Sequence, residues 1–192
     1  MKNELVRNFE TLVRGDVNIV GGKNSSLGEM IGGLASKGVS VPPGFATTAE
    51  TYWQFVDENN IRQKIADKVG AWQSGRISLA ETGKEIRSLF LHGNFSADAA
   101  ASIKKSYEEL QKTTGIHDLP VAVRSSATAE DLPDASFAGQ QESYLNIRGF
   151  DNLMQACRAC YSSLFTDRAI SYRQARNFDH LKIALSIGIQ RK

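Results

Sequence analysis

Two cations set among small residues are the parts of this sequence best suited to chemistry. Arg124 stands in L-P-V-A-V-R-S-S-A at residues 119–127, where Val121 and Val123 alternate with Ala122 and Arg124. That alternation predicts a strand over residues 121–125, one face on a core and Arg124 on the other. Residues 126–141 then read S-A-T-A-E-D-L-P-D-A-S-F-A-G-Q-Q, with Leu132 and Phe137 the only bulky apolar groups. Backbone N–H groups in such a stretch can approach a ligand closely. A permanently charged arginine at the mouth of the stretch suits a polyphosphate. An ordinary solvated hairpin loop has the same composition, although loops of about 16 residues inside compact domains are uncommon and often functional. Residues 143–147 read as the returning strand.

The second cation is Lys23, in V-G-G-K-N-S-S-L-G-E-M-I at residues 20–31. Residues 16–20 read as a short strand entering Gly21-Gly22. Ser26-x-x-Glu29 then has the form of a capping box, and Leu27, Met30, Ile31, Leu34 and Ala35 recur at helical spacing up to a stop at Gly38. This places Lys23 just ahead of a helix N-terminus, where the dipole disfavours a cation by about 0.3–1 kcal/mol unless an anion is also present. A phosphate would reconcile the two. An exposed lysine in a glycine turn explains the pattern as well, and G-G-K-N is not the P-loop pattern.

The remaining elements must hold these two segments. Val41-Pro42-Pro43-Gly44 is a rigid turn, residues 45–47 are extended, and Thr47-x-x-Glu50 opens a helix in which Trp53 is expected to serve the core. Ser78-x-x-Glu81 and Ser96 start further helices, so residues 59–114 read as a helical insert or subdomain without chemistry of its own. His92 and His117 lack any ligand or base constellation. Asp151 is expected to cap a helix carrying Leu153, Met154, Cys157, Tyr161, Leu164 and Phe165, followed by another near Thr166 whose Arg168, Arg173 and Arg176 form a solvated face. Cys157 and Cys160 make a C-x-x-C, but with no second Cys pair or nearby His they read as buried free thiols. In residues 183–190, Ile183, Leu185, Ile187 and Ile189 alternate with Ala184, Ser186, Gly188 and Gln190, a strand with one apolar face and one of small residues. That small face leaves room for something flat or bulky, or for a close-packed helix.

Bulk properties exclude several classes. The 192 residues are 41% hydrophobic and 23% charged, ordinary for a globular chain, and 23 basic against 21 acidic residues leave a net charge of +2. That balance gives no basis for nucleic acid or an anionic membrane as partner. No apolar run approaches the roughly 18 residues of a membrane span, and M-K-N-E-L-V-R-N-F-E lacks the apolar core of a signal peptide. A cytoplasmic protein is expected.

The stretch V-A-V-R-S-S-A-T-A-E-D-L-P-D-A-S-F-A-G-Q-Q-E-S-Y-L-N resembles the nucleotide-binding segment of the phosphoenolpyruvate synthases (pyruvate, water dikinases). The resemblance extends to residues 20–31, to V-P-P-G-F-A-T-T-A-E at 41–50 and to S-L-F-T-D-R-A-I-S-Y-R at 163–173, and is weakest between 59 and 119. It implies an α+β fold, the first lobe of an ATP-grasp domain, with a mixed sheet and a helical insert, residues 1–192 being the N-terminal lobe of a larger enzyme. In that family ATP phosphorylates a histidine on a separate domain, phosphate is released, and the phosphohistidine passes its group to pyruvate; the products are AMP, phosphate and phosphoenolpyruvate. Lys23 and Arg124 match the family's phosphate-binding lysine and arginine. Residues 134–141, with Gly139 and Gln140, match the loop over the phosphates, Ser143 a polar nucleotide contact, and Gln190 the end of the strand leading to the adenine hinge. The implied cofactors are ATP and magnesium, with the magnesium ligands, like the phosphohistidine and pyruvate domains, expected outside this chain. A fragment with at most weak nucleotide contact is therefore expected. Rifampicin phosphotransferases share a similar R-S-S-A-T-A-E-D-L segment, and a module without turnover is the remaining alternative.

Overall fold

The computed structural model describes residues 4–35, 38, 41–128 and 142–192. Five strands form one sheet in the order β1 (Val6–Asn8), β2 (Gly44–Thr47), β5 (Leu185–Arg191), β3 (Val121–Ala127), β4 (Ser143–Ile147). Every pairing is antiparallel, where a mixed sheet was expected. β3 takes the place read for it, and residues 183–190 form a strand that begins at Leu185, with Ile183 and Ala184 buried ahead of it.

The two faces of the sheet do different work. Val121, Val123, Ile187, Ile189 and Phe45 point to one side, into the main core. Helices α2 (Ala49–Glu58), α3 (Ile61–Gln73), α4 (Leu79–Leu91), α5 (Ala97–Thr114), α6 (Phe150–Ser162) and α7 (Asp167–Ala175) contribute to that core. An aromatic cluster of Tyr52, Phe55, Phe90, Phe95, Tyr161 and Phe165 lies at its centre. The helical segment is thus no separate body. Ile65, Ile86, Phe90 and Ile103 pack in one cluster with Val121 and Val123, and Tyr107 OH donates to Leu119 O at 2.9 Å where the chain enters β3. Helix α1 (Val17–Ala35) belongs to the opposite face, where Val20 joins Phe9, Leu12 and Ala46 in a small second core. No helix among the described residues is long and apolar enough to cross a membrane.

Local signals held where side chain and backbone cooperate at short range. Ser78 and Glu81 form a reciprocal capping box, and Ser96 and Thr166 accept from Ala99 N and Ala169 N. Five local expectations fail. Residues 17–20 are helical, not a strand: the chain turns at Gly21 (φ 76°, ψ 163°) and resumes as helix, so α1 is two helical pieces joined at a kink. Ser26 lies inside the second piece, while Glu29 accepts from Arg14 N at 3.2 Å, so there is no capping box at 26–29. The cap residues of α2 and α6 are Thr48 and Gly149, not Thr47 and Asp151, and Thr47 Oγ1 instead accepts from Ile187 N at 3.0 Å. Arg173, read as solvated, is fully buried against Phe165, with its Nε donating to His180 Nδ1 at 2.9 Å.

Candidate functional site

The register of the sheet places the candidate residues. Across the strands, Ser143 pairs with Arg124, Arg124 with Gly188, and Gly188 with Ala46, so these four lie in one row on the face that α1 shares. A shift in register between Val121 and Val123 against β4 puts Ser143 opposite Arg124; Asn146 nearby takes φ 58°. Ser126 pairs with Ser186 one step further along.

Helix α1 crosses this row at its kink. Asn24 is buried over β5: its Nδ2 donates to Ser186 Oγ at 2.9 Å, and Ser186 Oγ donates to Thr47 O at 2.6 Å. A Cβ at position 188 would collide with Asn24 Oδ1, so Gly188 is what lets the helix approach. The small-residue face of β5 is therefore occupied by a close-packed helix, the second of the two explanations open from the sequence. At Gly21 a Cβ would collide with Ser126, and the positive φ itself favours glycine.

Lys23, the next residue but one after the kink, emerges beside Arg124. Both are exposed, and among the described residues neither has a carboxylate partner. The Lys23 ammonium is held below the usual lysine range, first because the surrounding protein removes water from it and second because of the Arg124 guanidinium. Two neighbouring exposed cations with no carboxylate partner among the described residues have the charge to attract a polyanion. At this helix start, two of the first-turn amides are already partnered: Ser126 Oγ accepts from Lys23 N at 3.1 Å and Asn24 N at 3.4 Å.

Arg124 thus has Ser143 across from it in the sheet and Lys23 near enough on the same face for the two charges to interact. Gln190 lies on the same face but one row away, opposite Ala122 and Gly44, and its Nε2 donates to Pro42 O at 3.0 Å. Gly139 and Gln140 lie outside the described residues. Ser126 and Asn24, which build the site from below, were missed at the sequence level. A polar pair with long-range partners leaves no local signal; the one available hint was Gly188 between Ile187 and Ile189 in a strand. Among the described residues no three His, Cys, Asp or Glu side chains converge to hold a metal.

Residues 17–192 match the family described as "Pyruvate phosphate dikinase, AMP/ATP-binding domain". The chain is 47% identical over 187 residues to the phosphoenolpyruvate synthase of Helicobacter pylori, covering 97% of this chain and 23% of that protein. It is 48% identical over 177 residues to that of Aquifex aeolicus (92% and 21%) and 46% identical over 188 residues to that of Escherichia coli (97% and 24%). It spans less than a quarter of the length of these three relatives. With a match reaching from the first residues of α1 through β5, and with the α1 kink, β3 and β5 that form the cationic row all inside it, this chain belongs to the pyruvate phosphate dikinase AMP/ATP-binding domain family and has the fold of the first ATP-grasp lobe.

Proposed function

We propose that this chain is the first lobe of the ATP-binding unit of a cytoplasmic phosphoenolpyruvate synthase, an enzyme that converts ATP, pyruvate and water into AMP, phosphoenolpyruvate and phosphate through a phosphohistidine on another domain. The observation that carries this reading is the pairing of Lys23 and Arg124, both exposed and with no carboxylate partner among the described residues. Phosphoryl transfer asks the protein mainly for positioning and charge neutralisation. Arg124 offers a planar fork to two phosphate oxygens, and Lys23 offers a mobile point charge. Ser143, beside Arg124 in the row, is assigned to donate its hydroxyl proton to the same anion. Gly139 and Gln140 are assigned to the loop over the phosphates, and Gln190 to the approach to the adenine hinge.

The described residues do not fit a magnesium site, since no cluster of ligating side chains is present. Magnesium is assigned to the nucleotide's phosphates and to the second lobe. The remaining partners are the second lobe, the phosphohistidine domain and the pyruvate-binding domain. The reading is tested in the full-length enzyme by Arg124→Ala and Lys23→Ala, each expected to slow ATP-dependent histidine phosphorylation by about 10²–10³-fold, the scale for removing one preorganised donor from developing charge. Arg124→Lys is expected to recover only part of the rate. Near-wild-type turnover in Arg124→Ala overturns the assignment.

A further inference from the structure

Ser126 lies two positions past Arg124 on β3, faces α1 and is 1% exposed. Its hydroxyl accepts from the backbone N–H groups of Lys23 and Asn24, the first at a sequence distance of 103 residues. Those amides belong to the first turn of the helical piece that resumes after Gly21, where N–H groups have no partner within their own helix. A strand residue is therefore the N-cap of a helix remote from it in sequence. On the other side of the same backbone, Asn24 Nδ2 is tied to Ser186 and through it to Thr47. The main chain at Lys23 is held between β3 and β5, and its side chain leaves from a fixed point beside Arg124.

We propose that Ser126 is a positioning residue for phosphate capture: it fixes the root of the Lys23 side chain next to Arg124, and it occupies the two helix amides that would otherwise compete with those side chains for the anion. This rests on the reading of Lys23 and Arg124 as phosphate ligands. The bound polyphosphate then sits between side chains carried by two different elements, and the geometry between those elements depends on one hydroxyl. A serine is the suitable type. Its Oγ accepts both N–H bonds at once, while a larger side chain would meet Gly21, whose position already leaves no room for a Cβ on its own side.

The test is a double-mutant cycle in the full-length enzyme, reading kcat/KM for ATP in Ser126→Ala, Lys23→Ala and the double variant. Displacing a charged group by a fraction of an ångström to about 1 Å lowers rates by up to about 100-fold, so Ser126→Ala is expected to cost about 10- to 100-fold on its own. In the Lys23→Ala background the same substitution is expected to change the rate by less than about twofold, because there is no longer a side chain to place. A merely structural role would cost the same in both backgrounds, and that result overturns the proposal. No loss from Ser126→Ala in either background overturns it as well. If Lys23→Ala alone is near wild type while Arg124→Ala is not, Lys23 is not a phosphate ligand and the proposal falls for that separate reason. Ser126→Cys, of nearly the same volume but a weak acceptor, carries the same cycle if Ser126→Ala does not fold, with an expected loss of similar size.

Discussion

Protonating His180 should unfold this protein more readily, and the effect is separable from general acid denaturation. His180 is 7% exposed and follows α7 on the approach to β5. Its Nδ1 accepts from Arg173 Nε at 2.9 Å, so in the folded state the ring proton must reside on Nε2. Burial first, and then the Arg173 guanidinium, lower its pKa from 6.5 to about 4, against a smaller opposing pull from Asp179. Above pH 6.5 the ring is neutral in both states and nothing is lost. As pH falls below 6.5 the unfolded chain takes up a proton that the folded ring resists, so stability is lost progressively until about pH 4, below which this group adds nothing further. Between pH 7 and pH 5 the full difference would amount to about 2 kcal/mol. Since the ring borders an open cavity of about 350 Å³ lined also by Ile65, Val69 and Leu181, solvent weakens this to about 1 kcal/mol. Carboxylates titrate over the same range, so the informative quantity is a difference of differences. Urea unfolding of wild type and His180→Asn at pH 7 and pH 5 supplies it; the Asn carbonyl keeps an acceptor for Arg173 but cannot be protonated. Wild type should lose about 1 kcal/mol more than the variant on acidification. Equal losses in the two proteins would show that His180 is not held neutral by burial and by Arg173, and the reasoning would fail.

Three further outcomes follow from the geometry. Gly21→Ala meets both a positive φ and a collision with Ser126 and should cost about 2–4 kcal/mol in urea unfolding, whereas Gly22→Ala, with open space at its Cβ, should be neutral or stabilise by up to about 1 kcal/mol. Burial pushes the Cys157 thiol up to about 12 and the Cys160 thiol well above its usual range, so neither should react with a thiol reagent at pH 8 until urea opens the fold; rapid native labelling would refute the packing of α6. Ser78→Ala removes the hydroxyl from the α4 capping box and should lower unfolding free energy by about 1 kcal/mol, with a smaller loss for Ser78→Gly.

What the sequence determined by itself was local periodicity and short-range capping. The alternation around Val121 and Val123 requires a strand with one buried face, the Ser78–Glu81 pair requires a helix start, and both are found in place. Arg124 was legible as a cation on the open face because a period of two leaves it no other side. Residues 17–20 were misread because β-branched Val17, Ile19 and Val20 favour a strand in isolation. Their helical state is decided by docking Val20 onto Phe9, Leu12 and Ala46, contacts that no window around position 20 contains. Arg173 was misread for a related reason: its helical spacing says only which side it takes, and the identity of what lies there, Phe165 and His180, is a matter of how α7 packs. The placement of Lys23 beside Arg124 is likewise a tertiary fact. It depends on a helix kinked at Gly21, admitted by the missing side chain of Gly188 and pinned by Ser126 and Ser186, four positions on three separate elements. Side-chain periodicity is fixed by backbone geometry within one element, whereas the distance between two charges on different elements is set only when those elements pack.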